Sequence, residues 1–65
     1  MIRSNVRKIM EEKGVTIRAM AGKTGLTDVT ILRARKETIV HCRVSTLVVI
    51  AQYLECKVKD LFEEP

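Results

Sequence analysis

The sequence predicts an all-α fold of five short helices, and three observations lead there. Apolar residues recur at helical spacing along most of the chain. Capping residues punctuate that pattern at Thr16, Thr27 and Ser45, and glycines stop it at Gly14 and Gly25. The 65 residues suffice for one small domain, so we read 1–65 as a single unit with short connections.

The first helix is expected over roughly residues 3–13. Ile2, Val6, Ile9 and Met10 form its inner stripe, Gly14 is a left-handed stop, and Lys13 sits near the negative helix end. Thr16 caps a second helix that runs through Met20 and Ala21 and ends at Gly25. Thr27 caps a third, from Asp28 to about Lys36, with Asp28 placed favourably against the positive helix end. Residues 37–44 alternate Val40, Cys42 and Val44 with His41 and Arg43, a strand-like period. A lone strand has no partner in such a chain, so an extended connector is expected, with edge pairing across a dimer as the other reading. Ser45 then caps a fourth helix. Leu47, Ile50, Ala51 and Leu54 form its inner stripe, and Val48, Val49 and Tyr53 make it apolar almost all round, as in a helix that is deeply buried or sits at an interface. Val58, Leu61 and Phe62 mark a short fifth helix.

Composition narrows the function. The net charge is +4 and unevenly spread: residues 1–43 hold ten of the twelve Lys and Arg but four of the eight acids. A basic front and an acidic back suit docking of a polyanion on one side. Tyr53 and Phe62 are the only aromatics, too few for a platform that stacks single-stranded bases. No apolar run approaches a membrane span, and the start lacks the apolar centre of a secretory signal, so a cytoplasmic setting is the expectation. Cys42 and Cys56 are not spaced as a metal pair, and with His41 they offer too few soft ligands for closed zinc, so packed thiols and no metal are expected. Gly22-Lys23-Thr24 echoes the end of a phosphate-binding loop, but Ile17 stands where that loop needs a glycine. No nucleophile with a base, carboxylate pair or cofactor motif appears, so an enzyme is not expected.

The most informative spacing is Ala21, Gly25 and Ile31. Two helices crossing sharply need a small residue where they approach, a positive-φ residue in the turn, and a branched apolar residue reaching back into the shared core. That is the helix-turn-helix pattern, with the unit at about 17–36 and Met20, Leu26 and Ala34 as further packing positions.

The stretches "GVTIRAMAGKTGLTDVTILRARK" and "LVVIAQYLECKVKDLF" together resemble the phage-repressor and Cro type of helix-turn-helix domain, with its lambda-repressor-like fold. The resemblance spans Ile2 to Phe62. It implies bacterial or phage transcriptional control, a double-stranded DNA operator as partner, and binding as a homodimer. It also implies that the third helix lies in the major groove, with Thr27, Asp28, Val29, Leu32 and Arg33 turned to the bases. Arg33 is suited to guanine O6 and N7, Asp28 to cytosine N4, and Val29 and Leu32 to thymine methyls. Arg18, Lys23, Thr30, Arg35, Lys36 and Arg43 are the candidates for phosphate contacts. Simpler roles stand beside these: Asp28 as a helix-end charge, Leu32 as core, and the cations as solvated surface.

The chain departs from that pattern in four places. Ile17 stands where a polar residue, often Gln, usually touches a phosphate. Glu37 and Glu55 stand where a glycine commonly follows the third and fourth helices, and Ala34 replaces a larger aliphatic. The dimer surface is expected among apolar residues from Val40 to Val49 or around Phe62. A second reading keeps the fold as a protein-interaction module or antitoxin, because Ile17, Val29 and Leu32 would be apolar on the DNA face.

Overall fold

A computed structural model describes residues 1–65. Four α-helices form the body: α1 (Val6–Lys13), α2 (Ile17–Thr24), α3 (Asp28–Ala34) and α4 (Val44–Tyr53). Eleven buried residues, all apolar, make one core. Val6, Met10, Met20, Ile31 and Ile50 are its largest members from the helices, joined by Leu54 just past the end of α4.

The fifth helix is absent as such. Val58–Asp60 is a single 3-10 turn, closed by the Asp60 carboxylate accepting from the Lys57 amide at 3.0 Å. Leu61 beyond it is fully buried, and the chain then runs extended. Its last strand, β2 (Phe62–Glu63), pairs antiparallel with β1 (Arg3–Ser4), so that Arg3 faces Glu63 and Ser4 faces Phe62. This ribbon also shortens the first helix relative to the expected 3–13. Residues 3 and 4 give their backbone to the ladder, and the Asn5 amide donates to the Leu61 carbonyl at 2.7 Å before α1 starts.

The connector after α3 differs too. Glu37–His41 is a 3-10 helix rather than an extended strand. Its one buried side chain is Ile39, whose amide bonds the Lys36 carbonyl while its own carbonyl accepts from Cys42. A single anchor in a tight turn overrides the alternation of Val40, Cys42 and Val44, which has no neighbouring strand to satisfy it. As a result α4 begins at Val44, with Arg43 at the cap position and Ser45 inside the helix.

The helix ends follow local chemistry. Thr16 and Thr27 cap α2 and α3 as expected, accepting from the amides of Ala19 at 3.0 Å and Thr30 at 3.1 Å. Gly25 ends α2 at φ 77°, and its amide bonds the Ala21 carbonyl. Thr24 clamps the same turn: its hydroxyl donates to the Met20 carbonyl at 2.7 Å and accepts the Leu26 amide at 3.2 Å. α3 stops at Ala34, short of the expected Lys36, and Arg35 keeps right-handed backbone. No glycine is needed there, because hydroxyls take the last carbonyls. Thr38 donates to Arg33 at 2.7 Å, and Ser4 donates to Ala34 while accepting from the Val6 amide. The end of α4 does require a left-handed residue, and Glu55 supplies it at φ 55°. The amides of Glu55 and Cys56 close back on the carbonyls of Gln52 and Ala51.

Two substitutions test this backbone reading in opposite directions. Glu55→Gly should raise stability by about 0.5–1 kcal/mol, since it removes the Cβ strain of a left-handed residue. Gly25→Ala should lower stability by about 1 kcal/mol. An added Cβ there would meet nothing within 4 Å, so the cost is backbone strain alone. Urea midpoints with unchanged slopes would check both.

Candidate nucleic-acid interface

The helix-turn-helix unit presents one side of α3 to solvent. Ile31 and Ala34 have no exposure and lock the helix to the core, so the face turned the other way is free. Thr27, Asp28, Val29, Leu32 and Arg33 are all exposed, Val29 at 64% and Leu32 at 41%. Leu32 therefore does not compensate in the core for the small Ala34. Val29, Leu32, Arg33 and Lys36 share one shallow hollow with Thr38.

A second hollow lies between α3 and the start of α4. It brings Thr30, Arg33 and Arg43 together with His41, Cys42 and Thr46. The cap position of α4 carries an arginine that makes no side-chain cap, so the first-turn amides have no partner from that side chain. Two guanidiniums next to a positive helix end are an arrangement that favours an anion. His41 and Thr46 were not among the expected contacts. The strand-like alternation read for residues 37–44 concealed that a 3-10 turn carries His41 to this hollow.

The remaining cations are distributed differently. Arg18 and Lys23 are exposed on α2, Arg18 in its first turn. Thr16 caps the Ala19 amide, which leaves the amides of Ile17 and Arg18 without an acceptor inside the helix. Arg35 is half-buried, and with Lys36 it borders a hollow beside the terminal ribbon, near Arg3 and Glu37. The sequence grouped all six phosphate candidates; the fold groups Thr30 with Arg43, sets Arg35 and Lys36 beside the ribbon, and leaves Arg18 and Lys23 on α2. Ile17 packs half-buried against the core instead of offering an apolar contact on the outer face.

The cysteines are free and half-buried. Burial pushes the Cys42 thiol up, and the nearby Arg33 charge opposes that in part. Burial likewise raises Cys56, helped by Asp60 and opposed by Lys13. Both stay protonated near neutral pH and behave as small packing groups.

An apolar surface lies elsewhere. Val44 and Val48, four residues apart on α4, are exposed, and so is Val40 in the 3-10 segment before it. Val40 and Val44 line a groove with Ile2, Leu47 and Phe62. The two dimer surfaces expected separately, around Val40–Val49 and around Phe62, thus meet in one place because the ribbon carries Phe62 there. No helix is long and apolar enough to cross a membrane.

A search of curated proteins finds no match to the chain. A family model for the Cro/C1-type HTH DNA-binding domain matches residues 5–64, nearly the whole length. With α2, the left-handed turn at Gly25 and the exposed face of α3 arranged as described, the chain belongs to the Cro/C1-type helix-turn-helix family of DNA-binding domains.

Proposed function

We propose that this domain is a sequence-specific transcriptional regulator, a repressor or Cro-like switch protein of bacterial or phage origin. It reads the major groove of double-stranded DNA with α3 and binds as a homodimer. The observation that carries this reading is the sidedness of α3: Ile31 and Ala34 are fully buried while Asp28, Val29, Leu32 and Arg33 are exposed together. In this role Arg33 donates to guanine O6 and N7, and Asp28 accepts from cytosine N4 and repels phosphate. Arg18, Lys23, Thr30, Arg35, Lys36 and Arg43 hold phosphates, which adds affinity and salt dependence without sequence information.

The homodimer is supported by the apolar groove along Val40, Val44 and Phe62, on a domain small enough to gain from added burial. Two copies would read half-sites about 34 Å apart. A second reading is a protein-interaction module or antitoxin on the same fold, favoured by the exposure of Val29 and Leu32. Titration with random genomic fragments at two salt concentrations separates the two. Selective, salt-sensitive recovery supports the regulator, and the absence of salt-sensitive binding to the fragments supports the interaction module.

Arg33→Ala should relax sequence preference by about 1–3 kcal/mol at one base pair per half-site. Arg18→Ala should weaken every duplex alike and reduce the salt slope by about one unit. If Arg33→Ala left the preferred sequence intact, its assignment to a base would be wrong. Val44→Asp should convert a dimer to monomers in sedimentation equilibrium and leave the helical circular dichroism unchanged; a variant that stayed dimeric would move the interface off α4.

A further inference from the structure

The hollow between α3 and α4 carries positive charge that nothing in the fold answers. Arg33, His41 and Arg43 are exposed on its rim, and Thr30, Cys42 and Thr46 line it half-buried. None of the six is an acid. The two ion pairs of the chain, Arg3 with Glu63 and Arg7 with Glu11, lie on other elements. Arg33 also borders the hollow of Val29 and Leu32, so the basic hollow adjoins the exposed face of α3. A duplex laid along that face brings its sugar–phosphate backbone over the hollow.

We infer that His41 and Arg43 together seat a backbone phosphate, and that protonation of His41 makes the domain hold DNA more tightly as the medium turns acidic. This rests on the DNA reading proposed above and adds a control to it. His41 is the only histidine of the chain, so one side chain carries the response.

The physical reason is the proton balance of the seat. A neutral imidazole has one N–H and one lone pair, and the lone pair repels a phosphate oxygen. A protonated imidazole has two N–H donors and a full charge. Phosphate therefore favours the charged form, and binding takes up a proton. An imidazole changes charge between about pH 5 and 8, so the gain is full at the acid end and is lost as pH rises through that range. The neighbours act on the same balance. Arg33 from α3 and Arg43 ahead of α4 oppose the proton. Glu37, four residues back in the 3-10 segment, favours it from a hollow on the other side, which also holds Met1 and its amino group. Arg3 of β1 is paired with Glu63 instead. Cys42 adds no charge, because burial keeps its thiol protonated. A phosphate between the two guanidiniums offsets their charge as well, which removes their opposition to the proton.

The test measures affinity by fluorescence anisotropy at fixed salt, from about pH 5.5 to 8, for a duplex selected from a random pool and for an unselected one. Affinity should rise by about three- to tenfold per domain toward the acid end, on both duplexes alike, because every sequence presents the phosphate. The salt slope should steepen by up to about one unit per domain over the same range. His41→Gln should bind at the weaker, alkaline level throughout, and His41→Arg at the tighter level throughout. Both change an exposed side chain, and unchanged helical circular dichroism checks the fold. The inference is overturned if affinity ignores pH while salt-dependent duplex binding persists, and the DNA reading then survives. A pH response that persists in His41→Gln assigns the proton to another group, such as Asp28 on the same face, and overturns it too. A gain confined to the selected duplex puts His41 on a base and overturns the phosphate seat. A chain that binds neither duplex at any pH overturns both readings.

Discussion

A helix of seven residues does not hold itself together in water, and α3 is such a helix. Its shape depends on hydroxyl groups that close both ends. Thr27 satisfies an amide at the start, while Thr38 and Ser4 satisfy the carbonyls of Arg33 and Ala34 at the finish. Each contact contributes on the order of 1 kcal/mol, which matters for a domain whose net stability is a few such contributions. Because these bonds fix the backbone at residues 27 and 33–34, they also fix the direction in which Val29, Leu32 and Arg33 leave the helix. The side chains offered to a partner are aimed by groups that need not touch it.

The Ser4 contact gives this aiming a long reach. Ser4 belongs to β1, which pairs with β2 from the other end of the chain, and its hydroxyl also accepts the first amide of α1. One side chain therefore joins the terminal ribbon, the start of α1 and the end of α3. Fraying of the ribbon would release the Ala34 carbonyl and loosen the last turn of the exposed helix. Ribbon stability and the order of the α3 face are thereby linked, although the two lie at different ends of the sequence. Thr24 does the equivalent work at the other side, where it holds the Met20 carbonyl and the Leu26 amide across the turn.

What could be read from sequence follows this division between local and distant bonds. The caps at Thr16 and Thr27 and the left-handed turns at Gly14 and Gly25 act within a few residues, and each was legible. The core stripe was legible as well, because Met20, Ile31 and Ala34 follow helical periods. The Ser4 contact was not, since a hydroxyl thirty residues away in sequence leaves no periodic trace, and the Thr38 contact was hidden because residues 37–44 read as an extended connector. The ribbon was missed for the same reason: two strands of two residues carry no pattern, and their register exists only once both termini are in place. Ile17 was read as apolar on the outer face, but its position in the first turn of α2 lets it reach the core. Glu55 shows the limit of residue statistics, for the backbone takes the left-handed form there without a glycine.

The sparse polar chemistry of α3 bears on how many copies a selective complex needs. In the proposed DNA reading, one domain brings a single arginine and a single carboxylate to the bases, with two aliphatic side chains between them. A good bidentate pair discriminates by about 1–3 kcal/mol. Methyl contacts add roughly 0.8 kcal/mol each. Selection of one operator against the rest of a genome requires about 4–10 kcal/mol. One copy lies near the bottom of that range, and two copies reading symmetric half-sites lie well inside it. The basic surface cannot make up the difference, because phosphate contacts strengthen every sequence alike. On the proposed homodimer, the apolar groove along Val40, Val44 and Phe62 bears on selectivity as much as on stability: a pairing there would double the readout without enlarging α3.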